Sequence, residues 1–314
     1  MILNPDSAPL TREIADYPEG IIIPIDKPYR WTSADVIRKV KYAAIRHFGK
    51  KNLKVGHAGT LDPLATGVLL VCIGKATKLA EELQSHDKEY VAGVTFGATT
   101  PSYDLEKEID RFFPHEHISA EAVENALPAF IGEQDQIAPL FSAKSVDGVR
   151  AYELARKLYK ANSENESVQS SELDTAAEQL LRVSRINITE LELLSFAGRN
   201  EGLTDRATRG TEAGGPQAER SGGVSKANVH EPSSCQHATT ASSRINVTDN
   251  SALGLPRAEI RMACSKGTYV RAFARDLGEA LGSGAHLDSL QRSRSGQFRV
   301  ENALSVEQAL QKLQ

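Results

Sequence analysis

One segment, residues 56–67, constrains the fold more than any other part of the chain, and its sequence is GHAGTLDPLATG. Its three glycines and one proline predict a tight loop, because glycine allows left-handed backbone and close approach of other groups. The apolar run at residues 68–73 is typical of a buried strand. The segment therefore predicts one carboxylate, Asp62, held at the entrance to that strand. An aspartate before a proline also commonly begins an ordinary turn, so the segment alone leaves both interpretations open.

A basic amphipathic helix is predicted between Thr32 or Ser33 and Gly49. Apolar residues recur at helical spacing through this segment, and Arg and Lys residues fall largely between them. Threonine and serine are favourable N-caps, and glycine is a common C-terminal stop. We therefore expect a helix that buries one face and exposes a basic one.

Strands and helices follow one another irregularly along the rest of the chain. Period-two patterns predict strands at residues 90–96 and 258–264, and helical spacing predicts helices that begin near Ser119, Glu153 and Val270. The regular repeat of a Rossmann or barrel chain is absent. The sequence therefore predicts the α+β class with a mixed, largely antiparallel sheet.

Two segments lack the pattern of a folded core. Residues 1–20 show no periodicity and are predicted to form a flexible N-terminal arm. Between residues 198 and 255 the composition shifts to Gly, Ser, Thr, Ala, Asn and Arg, which is typical of a disordered insertion. Residues 162–174 form a smaller polar segment of similar character. We expect one domain over residues 21–314, interrupted at 198–255.

The net charge of −4 conceals an uneven distribution. Residues 21–90 hold twelve Lys and Arg against seven Asp and Glu, and residues 257–299 hold eight against four. Residues 91–180 hold seven against sixteen. Clustered Lys and Arg can bind nucleic-acid phosphates, although such segregation also occurs on faces that only meet water. The distribution favours a nucleic-acid partner along the two basic segments.

Several classes of protein are disfavoured. The apolar runs are too short to span a bilayer and the N-terminus lacks a signal-type apolar region, so we expect a cytoplasmic protein. Cys72, Cys235 and Cys264 stand alone, which predicts neither a disulfide framework nor a metal site. A phosphate-binding loop is disfavoured because six residues, not four, separate Gly67 from Gly74.

Five blocks along the chain carry a family resemblance. They are DKPYRWTS at residues 26–33, the loop at 56–67, GKATK at 74–78, KEY at 88–90 and GTYVR at 267–271. In this order they resemble the patterns DKPxGxTS, GHxGxLDPxAxG, GxATK, KxY and GTYxR of the TruB family of tRNA pseudouridine synthases. The resemblance covers about residues 20–197 and 257–299, and blocks in register make coincidence an unsatisfactory explanation.

The resemblance implies the fold and the reaction. The fold is a pseudouridine synthase domain, with a central sheet flanked by helices and a catalytic cleft across its middle. The reaction is isomerisation of uridine 55 in the tRNA T-loop, with Asp62 as nucleophile and the base flipped out of the RNA, without cofactor or metal. Arg271 would keep Asp62 ionised, and Tyr90 would stack on the flipped base. Whether Asp62 attacks the base or C1′ stays open.

A wider set of substrate-binding residues is implied in the same way. His57 and Tyr269 would shape the pocket, the lysines would contact phosphate or brace loops, and Asp104 matches an acidic position of the family. A solvated surface is the alternative for each lysine, as a core tyrosine is for Tyr90. The full set is His57, Gly59, Thr60, Leu61, Tyr269, Lys27, Lys75, Lys78 and Asp104.

The chain also departs from the family pattern. Arg30 stands where the family usually has glycine, and Ser145 replaces the lysine of the pattern YSAxKxxG, with Lys144 one place early. The chain ends at Gln314, so the C-terminal PUA domain of many members is expected to be absent and a guide-RNA role is disfavoured. We expect a monomer that acts on tRNA without a membrane or an obligatory protein partner.

A non-catalytic RNA-folding factor that uses the same cleft is the alternative function, because extruding a base also loosens RNA structure. The arginines of the 198–255 insertion offer a further possibility, diffuse contacts to RNA.

Overall fold

The computed structural model describes residues 1–142, 144–146, 148–162, 170–198 and 245–314. Within these residues the strands are β1 (Ile21–Lys27), β2 (Val55–Ala58), β3 (Ala65–Ile73), β4 (Lys88–Phe96), β5 (Ala98–Thr99), β6 (Arg111–Phe112), β7 (Gly132–Gln136), β8 (Ser145–Val146), β9 (Val149–Arg150), β10 (Ser184–Ala197), β11 (Arg257–Cys264), β12 (Ala285–Ser295) and β13 (Phe298–Arg299). The α-helices are α1 (Ser33–Phe48), α2 (Ala80–Ser85), α3 (Ala120–Ala126), α4 (Ala151–Asn162), α5 (Ser170–Leu180), α6 (Val270–Ala280) and α7 (Val306–Gln311).

The main sheet runs in the order β1, β3, β12, β4, β11, β10, β7, with β2 beside β3 and β13 beside β12. Neighbouring strands are antiparallel except β3 and β12, which are parallel. The prediction of an α+β chain with a mixed, largely antiparallel sheet is confirmed. The parallel pair matters for the site, because it brings the loop before β3 beside the late strand β12.

Helix α1 begins and ends where its local signals predict. The Thr32 hydroxyl accepts the Asp35 N–H at 3.0 Å, and the Asp35 carboxylate accepts the Thr32 N–H at 3.1 Å, which closes a capping box. Gly49 ends the helix in left-handed backbone, at φ 60°. The buried face carries Val36, Val40 and Ala44, which pack into the same core as β1 and β3.

The first twenty residues pack on the domain instead of forming a flexible arm. Leu3 is fully buried and Leu10 is nearly so. The N–H of Leu3 donates to the carbonyl of Ile22 at 2.9 Å, and the N–H of Ile22 donates to the carbonyl of Met1 at 2.8 Å. The prediction of an arm is wrong because β1 lies at a sheet edge and offers unpaired backbone groups, which even an aperiodic segment can satisfy.

Most of the segment predicted as an insertion, residues 199–244, lies outside the described residues. Its last part is described and makes contacts. Arg30 donates to the carbonyl of Ile245 at 2.8 Å, and the N–H of Thr248 donates to the carbonyl of Leu105 at 2.9 Å. The predicted boundary at residue 255 is therefore too late. Arg30 itself lies at φ 64°, in the left-handed region where glycine is favoured.

The prediction of a smaller disordered segment at residues 162–174 is also wrong in part. Residues 163–169 lie outside the described residues, but α5 begins at Ser170 and buries Leu173 and Ala177. These two residues join Leu140 and Phe141 in a second apolar cluster beside the main core.

In the part of the chain that the structure describes, no helix is long and apolar enough to cross a membrane.

Candidate active site

The loop between β2 and β3 holds Asp62 through its neighbours. The Ser33 hydroxyl, in the first turn of α1, accepts the N–H of Leu61 at 3.0 Å and donates to the Leu61 carbonyl at 3.1 Å. Leu61 itself is buried, and the N–H of Ala65 donates to the Asp62 carbonyl at 3.1 Å. The Asp62 side chain stays 40% exposed, so it can be approached from solvent.

Arg271 pairs with Asp62 across the cleft. The guanidinium lies near the N-terminus of α6, its side chain is only 5% exposed, and its Nη2 stands 2.9 Å from Oδ2 of Asp62. Nη1 donates to the carbonyl of Ser102 at 3.1 Å. Burial alone would lower the pKa of Arg271, but Asp62 and Asp104 together raise it above its ordinary value. The pair therefore consists of a permanently charged, buried cation and an accessible carboxylate.

Asp104 lies behind Arg271 as a second carboxylate. Its Oδ2 is 3.7 Å from Nη1 of Arg271, and its Oδ1 accepts the Ser102 hydroxyl at 2.6 Å and the Glu106 N–H at 2.9 Å. Burial raises the pKa of Asp104, and the nearby guanidinium opposes that rise. Because these groups occupy its oxygens, the geometry favours a role in holding Arg271 rather than in binding RNA directly.

Tyr90 and His57 lie beside the same loop. Tyr90, in β4, is only 9% exposed and stands opposite Arg292 of β12 in the sheet register. His57, in β2, has a lowered pKa because of burial first and Arg292 second, so its ring is neutral at pH 7. Its Nδ1 is buried without a hydrogen-bond partner among the described residues. A neutral, enclosed ring suits the predicted role of shaping the pocket.

Tyr269, Gly59 and Thr60 also lie at the cleft. Gln136 holds the backbone of Tyr269, accepting its N–H at 2.8 Å and donating to its carbonyl at 3.2 Å. Burial and the charge of Asp62 raise the pKa of the Tyr269 phenol. Gly59 is left-handed at φ 87°, and Thr60 beside it is exposed.

Lys27 braces the loop and does not reach the surface. It is fully buried, and its Nζ donates to the carbonyls of Trp31 at 2.6 Å, Pro28 at 3.0 Å and Pro63 at 3.2 Å. A phosphate contact from Lys27 is therefore ruled out, and the predicted alternative of loop bracing agrees with the geometry.

Lys75 and Lys78 are exposed, but the structure does not bring them to Asp62. They lie in a short 3-10 helix, Gly74–Leu79, that follows the far end of β3. Asp62 precedes the near end of that strand, and nine residues of strand span about 30 Å. A role for either lysine in RNA binding stays a prediction, and it would have to act away from the reaction.

Arg292 is a residue that the sequence analysis missed. It is 1% exposed, and its guanidinium donates to the carbonyls of Val68 at 2.7 Å and Gly59 at 3.1 Å. A Cβ on Gly67 would come within 2.2 Å of the Arg292 backbone, so the last glycine of the loop motif permits this strand contact. Nothing in the local pattern separates Arg292 from the half-buried Arg294, because only the pairing of β12 with β3 and β4 buries it.

We expect Arg292→Lys to lower the unfolding free energy by about 2–3 kcal/mol. Arg292 reaches the two carbonyls from separate nitrogens, Nε and Nη2, whereas a lysine carries all its donors on one nitrogen, so one buried acceptor loses its partner. Urea unfolding at pH 7 measures the change. Arg294→Lys is the matched control, and it should stay within about 0.5 kcal/mol of the unchanged protein. Equal effects of the two substitutions would contradict the bracing role of Arg292.

Lys27 makes stability depend on pH in a defined direction. Burial lowers the pKa of Lys27 to about 8 in the folded protein, although Asp62 opposes the shift. The unfolded chain, with an ordinary lysine pKa, binds more protons above that pH, so the contribution of Lys27 to stability rises as pH rises. Between pH 7.5 and 9.5 the unfolding free energy of the unchanged protein should rise by about 2 kcal/mol relative to that of Lys27→Met. Urea unfolding of both proteins at the two pH values tests this, and a relative change of zero or of opposite sign would contradict it.

The cavity at the Asp62–Arg271 pair is small. Its volume is about 20 Å³, and its lining includes Leu64, Leu105 and Leu290. Such a space holds about one water molecule. A nucleotide base can therefore enter only if these side chains move apart.

Among the described residues, no group of three His, Cys, Asp or Glu side chains is placed to bind a metal ion.

Two relatives whose names state an activity are similar to this chain over most of its length. It is 43% identical over 292 residues to the tRNA pseudouridine synthase B of Phocaeicola vulgatus, covering 93% of this chain and 92% of the relative. It is 42% identical over 289 residues to the tRNA pseudouridine synthase B of Bacteroides fragilis, covering 92% of each chain.

A solved structure has a similar fold. The crystal structure of a Cbf5-Nop10-Gar1 complex matches 97% of this chain with a TM-score of 0.52 and 21% identity, and this chain spans 56% of the matched one. At that identity the likeness shows the fold alone. The sequence profile described as TruB family pseudouridylate synthase (N terminal domain) matches residues 46–204. Together with the identity to the two named relatives, this match shows that the chain belongs to the TruB family.

Proposed function

We propose that this chain is a tRNA pseudouridine synthase, an isomerase that converts uridine 55 of the T-loop to pseudouridine with Asp62 as its nucleophile. The single observation that carries the proposal is the Asp62–Arg271 pair, at 2.9 Å with the carboxylate accessible and the guanidinium buried. The names of the relatives, which are tRNA pseudouridine synthases, support tRNA as the substrate.

The reaction needs one nucleophile and no external group. The C1′–N1 bond breaks, the freed uracil turns within the site, and a C1′–C5 bond forms. C5 then loses its hydrogen as a proton, and N1 gains a proton, so the product is an isomer of the substrate. An ionised carboxylate can begin this sequence by attack on the nucleotide, and the bond that it forms breaks again before the product leaves, which regenerates Asp62. Arg271 gives the Asp62 carboxylate a cationic partner when the base displaces water, since a guanidinium does not lose its proton.

The substrate uridine must leave the RNA stack before it meets Asp62. Extrusion costs a few kcal/mol, and stacking on an aromatic ring returns about 1–3 kcal/mol. Tyr90 is the residue we assign to stacking, with His57 and Tyr269 around the base. Because Tyr90 is nearly enclosed and the cavity is small, binding of the base must open the cleft from the exposed side of Asp62.

The organisation that goes with this function is also proposed. One catalytic domain, which includes the packed residues 1–20, acts as a monomer in the cytoplasm without an obligatory protein partner.

Incubation with unmodified tRNA, without metal or nucleotide, tests the function. Chemical mapping should find pseudouridine at position 55 and leave the other uridines unchanged. An RNA-folding factor, the alternative that uses the same cleft, would bind the tRNA and yield no pseudouridine. Absence of product at position 55 with intact binding would therefore replace the proposed function by that alternative.

A further inference from the structure

A larger concavity lies away from the catalytic pair. It is a groove of about 770 Å³ between α1 and α7, beside the N-terminal segment, and we call it the α1–α7 groove. Four cationic side chains line it, and no Asp or Glu side chain does. These cations are Arg12, Arg38, Lys39 and Arg46.

The cations of the groove are available to a ligand. Within the described residues, only Arg38 among the four has a carboxylate within ion-pair distance, that of Asp35 at 2.8 Å, and its side chain is still 72% exposed. Lys39 lies over the ring of Trp31, and Arg46 lies over the ring of Tyr42. Tyr42 is 66% exposed, so a stacked cation and an open aromatic face stand together at the groove.

The segment that supplies three of the four cations is one-sided in charge. Residues 33–60 hold seven Lys and Arg and a single acidic residue, Asp35, in a chain whose net charge is −4. Surfaces that only meet water normally intersperse both signs of charge. Such a concentration in an acidic protein creates a local positive field that attracts polyanions.

Helix α1 connects the groove to the reaction site. Its first residue, Ser33, is hydrogen-bonded to Leu61, next to Asp62. At about 1.5 Å of rise per residue, Lys39 lies about 9 Å and Arg46 about 20 Å along the helix from that contact. An RNA whose flipped base reaches Asp62 can therefore present the backbone of its neighbouring stem to the groove.

We propose that the α1–α7 groove is a second RNA-binding surface, which contacts the phosphate backbone of a duplex stem of the substrate outside the catalytic cleft. The inference rests on the proposed function, because it assigns a further contact to the same RNA. The groove supplies affinity and register without sequence information, since phosphate contacts position an RNA without reading its bases.

The test compares two double variants of the full chain that remove the same charge. Lys39→Gln with Arg46→Gln removes two cations from the groove. The matched control, Lys157→Gln with Arg182→Gln, removes two exposed cations that do not line the groove. For each protein, the dissociation constant for unmodified tRNA is measured from low to moderate salt, together with kcat and KM for pseudouridine formation. Urea unfolding verifies that all proteins are folded.

The groove variant should bind tRNA about tenfold or more weakly than the unchanged protein at low salt, with kcat unchanged. The slope of log affinity against log salt should fall in magnitude by about two, one for each lost phosphate contact. A salt slope and an affinity for tRNA equal to those of the control variant would overturn the inference. An acidic protein would then replace RNA as the expected occupant of the groove. That outcome leaves the proposed function intact, whereas an unchanged protein that makes no pseudouridine contradicts the function itself.

Discussion

Changing Asp62 to Asn should reduce pseudouridine formation by about 10⁴-fold or more, because an amide cannot act as the nucleophile and losses of that size follow removal of a nucleophile. Affinity for tRNA should change little, since the amide oxygen can still accept from Arg271. Single-turnover formation of pseudouridine and a filter-binding titration on the same preparation measure the two effects.

Asp6→Asn is the matched control for this experiment. It makes the same chemical change at an exposed residue of the N-terminal segment, and both activity and binding should stay unchanged. If Asp62→Asn retained more than a few per cent of the rate, the nucleophile would lie elsewhere. If it abolished binding as well, Asp62 would be a recognition residue, and the loss of activity would carry no information about catalysis.

Removing the cation of the catalytic pair should damage both stability and rate. Arg271→Gln leaves Asp62 and Asp104 near each other without their shared partner. Breaking a fully buried pair costs about 3–5 kcal/mol, but Asp62 is 40% exposed and stays solvated, so the loss should be about 2–3 kcal/mol. The rate should fall by about 10³-fold, because the carboxylate loses the guanidinium that orients it and faces its charge. Adding Asp104→Asn removes one of the two like charges, so stability should partly return while activity stays lost.

Arg275→Gln separates the effect on the site from simple destabilisation. Arg275 lies one turn later on α6, is mostly buried, and pairs with Asp276 at 2.8 Å and Asp174 at 3.4 Å. Its loss should cost comparable stability while the rate of the folded fraction stays near that of the unchanged protein. A rate loss in Arg275→Gln as large as that in Arg271→Gln would mean that the Asp62–Arg271 pair has no special part in the reaction.

Local signals predicted local structure well. Thr32 and Gly49 fixed the ends of α1, because an N-cap hydroxyl and a left-handed glycine act on the nearest turn. The alternating patterns of β4 and β11 predicted strands, and the irregular order of elements predicted the mixed sheet. The Asp62–Arg271 contact joins distant parts of the chain, and no periodicity predicts it. Only the resemblance to the TruB family did.

The failures share a physical cause, which is tertiary contact that no local pattern encodes. Lys27 looks like a surface lysine in sequence, but three carbonyls converge on its ammonium and bury it. Arg292 differs from Arg294 only in the strands that flank it. Leu3 and Leu10 are single apolar residues in an aperiodic segment. They become core because Leu3 pairs with the edge of β1 and Leu10 bonds to the carbonyl of Lys312, just after α7.

The most direct test of the central claim follows the hydrogen at C5 of uridine. C5 must give up this hydrogen to carry the new bond to C1′, so tRNA labelled with tritium at C5 of its uridines releases tritium to water only when the isomerisation completes. The unchanged protein should release one label per tRNA, at the rate at which pseudouridine 55 appears, and Asp62→Asn should release none. Release by Asp62→Asn at the rate of the unchanged protein would contradict the assignment of Asp62 as the nucleophile.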